Sequence, residues 1–242
     1  MMIASRQHIW EAMFSIMKLL IINPNTTQSM THKIGVAARA IANDRTEIIA
    51  TNSQNGPASI QGFLDVARCV PGLLDEIGRH PHVDAIVIAC FDDTGLDAVR
   101  TMVNKPVLGI GEAAYHAAAM VANKFSVITT LSKSVPGIEN NLDRYGLAKK
   151  CGKVRATDIP VLKLEENDAE TLAKIKREIA AAIQDDNAEA IVLGCAGMVD
   201  LMSSLHEEFG VPVIDGVASA VVFAEALVNL GVSTSKIGAY AD

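Results

Sequence analysis

Ala85-Ile86-Val87-Ile88-Ala89-Cys90 and Ala190-Ile191-Val192-Leu193-Gly194-Cys195 are one phrase written twice. Each is a continuous apolar run, and each ends on a cysteine. Such runs, bounded by polar and small residues, read as short strands buried on both faces. The two cysteines stand 105 positions apart, and neighbouring segments keep nearly the same offset. Pro106–Ile110 falls on Pro212–Gly216, Leu20–Asn23 on Ser126–Thr129, and Ala50–Asn52 on Ala156–Asp158, each at 106. Four segments in one order at one spacing predict an internal duplication. Two copies make a pseudo-two-fold pair of lobes and not a solenoid, which needs about three or more repeats. Thiols at equivalent strand ends can face one small molecule from opposite sides, taking a proton from one face of a carbon and returning one to the other.

Outward from these runs, strands and helices alternate. Apolar, β-branched strands are expected near 18–23, 46–51, 84–89, 106–110, 125–130, 154–158, 189–194 and 212–215. Helical patterns are expected near 27–43, 58–79, 93–103, 111–124, 133–147, 167–185, 197–209 and 217–231. Thr27, Asp92-Asp93, Asn167-Asp168 and Asp200 read as caps or acidic first turns. The alternation predicts an α/β protein: two pseudo-symmetric parallel-sheet lobes with helices on both faces. No Pro/Gly/Ser-rich linker divides them, so the seam near 110–125 reads as a packed junction. Ligands of open α/β sheets bind outside the carboxyl ends of the strands, which places the active-site cleft between the lobes. Both cysteines, Asn23–Thr27 and Thr129-Thr130 stand at such ends, and Asn23-Pro24 with Thr129-Thr130 read as the floor of the cleft.

Composition narrows the function. Of 242 residues half are hydrophobic, and the net charge is −7. A substantial core is affordable, and the absence of a dense Lys/Arg stretch argues against nucleic acid as a partner. The four cysteines lack CxxC or Cys/His spacing, so no metal is expected. Free thiols make a reduced, cytoplasmic setting the default. No apolar run reaches the roughly 18 residues of a spanning helix, so no membrane partner is expected. Arg6, His8 and Glu11 interrupt any signal-peptide core in residues 1–16, which read as an extension before a natural start at Met17, or as a short amphipathic arm used in assembly.

Several motifs compete for the chemistry. Cys195, in Gly194-Cys195-Ala196-Gly197-Met198, lies at a strand-to-helix turn, where a helix N-terminus can lower a thiol pKa. Cys90 lies in Cys90-Phe91-Asp92-Asp93-Thr94-Gly95, where carboxylates facing the sulfur would oppose a thiolate. Cys69 and Cys151 have no matched context and read as small buried hydrophobes. Gly109-Ile110-Gly111-Glu112-Ala113-Ala114 fits a GxGxxA dinucleotide pattern, but Thr129-Thr130 stand where the ribose-binding acid belongs. Those glycines read as a tight turn with close packing, their N–H groups facing a ligand. His116 reads as a packed or surface residue, His206 as part of a solvated helix face, and Ser132 and Ser134 as caps. Asn25 is either a ligand-orienting amide or a turn residue. Phe91 and the Ile49–Asn52 strand end are expected to shape a substrate pocket.

The chain resembles the Asp/Glu/hydantoin racemase superfamily from about Met17 to Gly231. Asn23–Thr27, Ile88–Asp93, Val127–Leu131, Leu193–Met198 and Pro212–Gly216 carry the resemblance and look like its hydantoin racemase branch, with allantoin racemase a near relative. Aspartate and glutamate racemases usually carry Asn-Thr after the cysteines, which is missing here. Arylmalonate decarboxylases keep one active cysteine, and maleate isomerases match the surrounding residues less well. The resemblance implies cofactor-independent racemisation of a hydantoin-type ring by Cys90 and Cys195, with no cofactor and a homo-oligomeric assembly. Asn25, Phe91, Thr129, Thr130 and Ala196 would contact the substrate. An exchanged last helix would make 17–110 plus 217–242 one lobe and 111–216 the other. A non-catalytic two-lobed binder is the competing class.

Overall fold

The protein is described by a computed structural model covering residues 16–166 and 168–241. The expectation for residues 1–16 falls almost wholly outside the described residues. The first half runs β1 (Met17–Asn23), α1 (Gln28–Ile41), β2 (Thr46–Asn52), α2 (Phe63–Gly78), β3 (Ala85–Ile88), α3 (Leu96–Met102), β4 (Val107–Gly109) and α4 (Ile110–Val121). The second half repeats it: β5 (Phe125–Thr129), α5 (Val135–Arg144), β6 (Cys151–Ala156), α6 (Ala169–Asp185), β7 (Ala190–Gly194), α7 (Met202–Phe209), β8 (Val213–Asp215) and α8 (Gly216–Asn229). Short 3₁₀ turns, notably Ala196–Leu201 after β7, complete the chain. No helix among the described residues is long and apolar enough to cross a membrane.

The duplication is visible in the sheets. Their orders are β2-β1-β3-β4 and β6-β5-β7-β8, with every pairing parallel. Ile22 pairs with Ile88 and Ile128 with Leu193, so the two cysteines follow equivalent register positions. One expected match shifts. Asn52 pairs with Asn23 while Ala156 pairs with Thr129, so Asn52 corresponds to Ala156, two residues from the match read in the sequence. A bulge in the β5–β6 pairing accompanies the shift, and an even slip leaves the same faces buried. β6 also begins at Cys151, earlier than expected, because its exposed first residues carry no apolar run.

Strand alternation sorts the core into layers. Leu19, Ile21, Ala85, Val87, Phe125, Val127, Ala190 and Val192 point into one cluster shared by both halves. Leu20, Ile22, Ile86 and Ile88 face an outer cluster under α2 and α3. Ile128, Ile191 and Leu193 face its counterpart under α6 and α7. The shared layer is filled by small residues of α4 (Ala113, Ala114, Ala118) and α8 (Ala220, Ala224), which let backbones approach closely. A Cβ on Gly216 would lie 2.5 Å from the Ile110 carbonyl oxygen, so α8 can start there only from glycine. The two helices lean across the seam: α4 packs on β7 of the second sheet, and α8 packs on β3 of the first.

Candidate active site

The fold brings the two cysteines to one cleft at the carboxyl ends of β3 and β7. The cleft has an empty volume of about 430 Å³, and Asn25, Phe91, Thr129, Thr130 and Ala196 line it with Cys90 and Cys195. The two cysteines and the five residues expected to contact the substrate therefore meet at one place. Met30, Ile60, Asp92, Ser134 and Val161 join them. Ile60 carried a sequence signal, as the one large aliphatic residue in the loop Gly56–Gly62. Val161 and Met30 carried none that set them apart from core residues.

Asn25 is held as a donor. Its Oδ1 accepts from Asn23 Nδ2 and from the Thr27 N–H, each at 2.9 Å. The Thr27 donor is backbone, so the orientation of the amide is fixed. Among the described residues the Asn25 Nδ2 is left with only the weak sulfur acceptor of Met30 at 3.4 Å. An amide nitrogen braced in this way is available to a ligand oxygen. Asn23, expected in the floor, serves instead as the brace, donating also to Thr31 Oγ1 and the Thr27 carbonyl. Thr129 lines the cleft, but its hydroxyl donates to the Gly194 carbonyl at 3.2 Å and ties β5 to β7. Asn52 turns to the Ser53 carbonyl, and neither it nor Ile49 is among the residues lining the cleft.

The two thiols have unlike surroundings. Burial pushes the Cys195 thiol up to about 11 and the Asp92 charge adds to this, while the Gly197 N–H and the Lys33 ammonium pull it down. The Gly197 N–H points at Cys195 Sγ at 3.4 Å. Lys33 is anchored by the Gly197 carbonyl and by Asp200. Burial pushes Cys90 well above its ordinary value, and Asp92 again adds to this. The Thr94 hydroxyl, 3.5 Å from Cys90 Sγ, and the Asp92 backbone N–H oppose the shift. The lowering expected from the helix starts is thus outweighed by desolvation. Both groups rest as thiols at neutral pH. Cys69 and Cys151, also free, are pushed to about 12 by burial.

The acidic pair after Cys90 divides its work. Neither residue caps α3, whose N-cap is Gly95 without a side-chain bond. Asp93, at φ 50°, swings across to the N-terminus of α4. Its carboxylate accepts from the Gly111 and Glu112 N–H groups at 2.9 and 2.8 Å, and from the Tyr145 hydroxyl at 2.8 Å. Here lies the reason for the GxG glycines: a Cβ on Gly109 would meet Asp93 Oδ1 at 2.0 Å, and one on Gly111 the Phe91 carbonyl at 2.4 Å. The N–H groups at this turn face a carboxylate of the chain and not a ligand. Asp92 instead borders the cleft. Burial raises its carboxyl to about 6, and no donor meets that carboxylate among the described residues.

The other expected caps sort similarly. Asp168 caps α6 through the Thr171 N–H at 2.8 Å. Thr27 and Ser134 make no side-chain cap bond, and Ser132 donates to Asp158. Asp200 lies in the 3₁₀ turn and pairs with Lys33. His116 bonds the Glu112 carbonyl and His206 the Val211 carbonyl, both away from the cleft. Among the described residues no group of His, Cys, Asp and Glu could hold a metal ion.

Fold and site together define a class: a two-lobed parallel α/β protein with one thiol from each half at a shared cleft. The chain belongs to the Asp/Glu/hydantoin racemase family, whose model matches residues 19–224, and is an isomerase of that kind. It is 49% identical over 227 residues to the hydantoin racemase of Rhizobium meliloti, covering 93% of this chain and 94% of the relative. It is 44% identical to the hydantoin racemase of Pseudomonas sp. (strain NS671), covering 93% and 91%. Among solved structures, allantoin racemase from Klebsiella pneumoniae superposes with a TM-score of 0.90 at 44% identity, covering 93% of each chain.

Proposed function

We propose that the protein racemises 5-monosubstituted hydantoins by moving a proton between Cys90 and Cys195. The observation that carries this reading is the pair of thiols at register-equivalent strand ends lining one cleft. The hydrogen at C5 is flanked by a carbonyl and a ring nitrogen, so its removal leaves an enolate spread over the ring carbonyl. One sulfur, as thiolate, takes this proton, and the other, as thiol, delivers its own to the opposite face. The roles reverse for the other enantiomer. The braced Asn25 Nδ2 is the donor best placed for the enolate oxygen. Because the ring itself delocalises the charge, the reaction needs no cofactor.

Within this reading, residues 17–110 plus 217–242 form one lobe and 111–216 the other, a division favoured by α8 leaning on β3 and α4 on β7. The likeness to the Klebsiella protein favours a second reading on the same chemistry, with allantoin, a 5-ureidohydantoin, as substrate. The test follows single enantiomers of a 5-alkyl hydantoin and of allantoin in D₂O by polarimetry and NMR. Loss of rotation with deuterium entering at C5 is expected. Retention of both rotation and the C5 proton at high enzyme concentration would refute the proposal.

A further inference from the structure

A second concavity lies beside the thiol cleft, its empty space of about 600 Å³ taking in some open solvent. Asp92 and Ser134 border both spaces. Phe63 and Val66 of α2 wall the chamber on one side, and Lys133 and Gly137 wall it on the other. Phe63 is 64% exposed, at the first position of its helix. Its Cε1 lies 3.7 Å from where a Cβ on Gly137 would stand, so an aromatic ring from the first half faces a bare backbone from the second.

We propose that this chamber takes the substituent at C5, that its preferred occupant is an aromatic or branched aliphatic group, and that Phe63 sets this preference. The inference rests on the hydantoin reading. C5 must lie between the sulfurs, and its substituent would leave the cleft past Asp92 and Ser134, which border both spaces. On inversion the substituent swings from one side of the ring plane to the other, so it needs a space wider than the ring requires. The chamber supplies that width. Two of its polar members leave the space to apolar contact. Asn141 Nδ2 already donates to the Asp92 carbonyl at 2.9 Å. Lys133 brings its Cδ within 3.8 Å of the Cβ position on Gly62, presenting methylenes there. The carboxylate of Asp92, which no donor among the described residues meets, borders both spaces and can accept from the ring N–H next to C5.

The experiment measures kcat/KM for 5-benzylhydantoin, 5-methylhydantoin and allantoin with the wild-type protein, Phe63→Ala, Phe63→Leu and Gly137→Val. The wild type is expected to favour the benzyl over the methyl compound and over allantoin. The benzyl-to-methyl ratio should fall about tenfold or more in Phe63→Ala, since a lost apolar contact of this size discriminates by that order. Gly137→Val, which fills the chamber from the opposite wall, should lower the ratio too, and Phe63→Leu should keep most of it. An unchanged ratio in both Phe63→Ala and Gly137→Val overturns the proposal, as does a wild-type preference for allantoin. Racemisation of the methyl compound reads the hydantoin proposal separately: if it keeps its rotation while the protein is folded, that proposal fails whatever the ratios.

Discussion

Cys90 and Cys195 occupy equivalent positions, and a backbone N–H lowers the pKa of each, that of Asp92 for Cys90 and that of Gly197 for Cys195; the Thr94 hydroxyl adds to the first and the Lys33 ammonium to the second. Replacing either cysteine by serine should abolish racemisation in polarimetry. Each single variant should still exchange deuterium into one enantiomer only, since one working thiol remains. The pH profile follows from the same groups. Cys195 ionises near 11, so kcat/KM should climb about tenfold per unit between pH 6 and 9 in the free enzyme. A flat profile there would show that a different group provides the base. Asp92 couples to both sulfurs. Its folded-state carboxyl at about 6 lies above the ordinary 3.8, so it contributes stability present below pH 4 and lost as the pH rises through 6. Asp92→Asn should therefore be more stable than the wild type by about 1–2 kcal/mol at pH 8, with the gain gone at pH 4. Thermal unfolding at the two pH values measures this. The same substitution should move the rising limb of the pH–rate profile to lower pH.

At the scale of elements, the loop that carries Cys90 is fastened to α4, the helix that leans across the seam, and to Tyr145 of the second half. Asp93 closes the start of α4 through two N–H groups and Tyr145. Asp93→Ala should cost about 2–4 kcal/mol, because a cap is lost and buried donors are orphaned. Gly111→Ala drives a methyl against the Phe91 carbonyl. It should lower both the melting temperature and racemisation, by displacing the residue next to Cys90. Denaturant midpoints and initial rates check the two variants. The elements themselves were legible in the sequence because continuous apolar runs and small-residue turns mark buried parallel strands wherever they occur. The fastening was not. Asp93 reads as a cap for the helix directly after it, and only its left-handed φ sends it to a helix 18 residues on. Asn23 and Asn25 show the same limit: both were legible as polar strand-end residues, but which braces and which faces the ligand depends on the fold of the turn.

At the scale of the molecule, the central layer is one cluster drawn from both sheets. Removing either half would expose the apolar faces of α4 and α8. The protein should therefore unfold in a single transition, with calorimetric and van't Hoff enthalpies equal. Two resolved transitions would show that the halves are separate cooperative units. The duplication that reveals the halves was readable because it preserves strand spacing. The closeness of their contact was not readable, because it rests on alanines and glycines that carry no periodic signal of their own.

The unlike surroundings of the two sulfurs have a thermodynamic consequence. Mirror images have equal free energies in water, so the equilibrium constant for a substrate with one stereocentre is unity. Whatever the Gly197 N–H and Lys33 do for Cys195, and Thr94 and the Asp92 N–H do for Cys90, kcat/KM must be the same in both directions. The inequality of the thiols can register only in kcat and KM taken separately, each shifting in step with the other. A protein with two unequal bases can thus hold one hand more tightly and turn it over more slowly, but it can never prefer it.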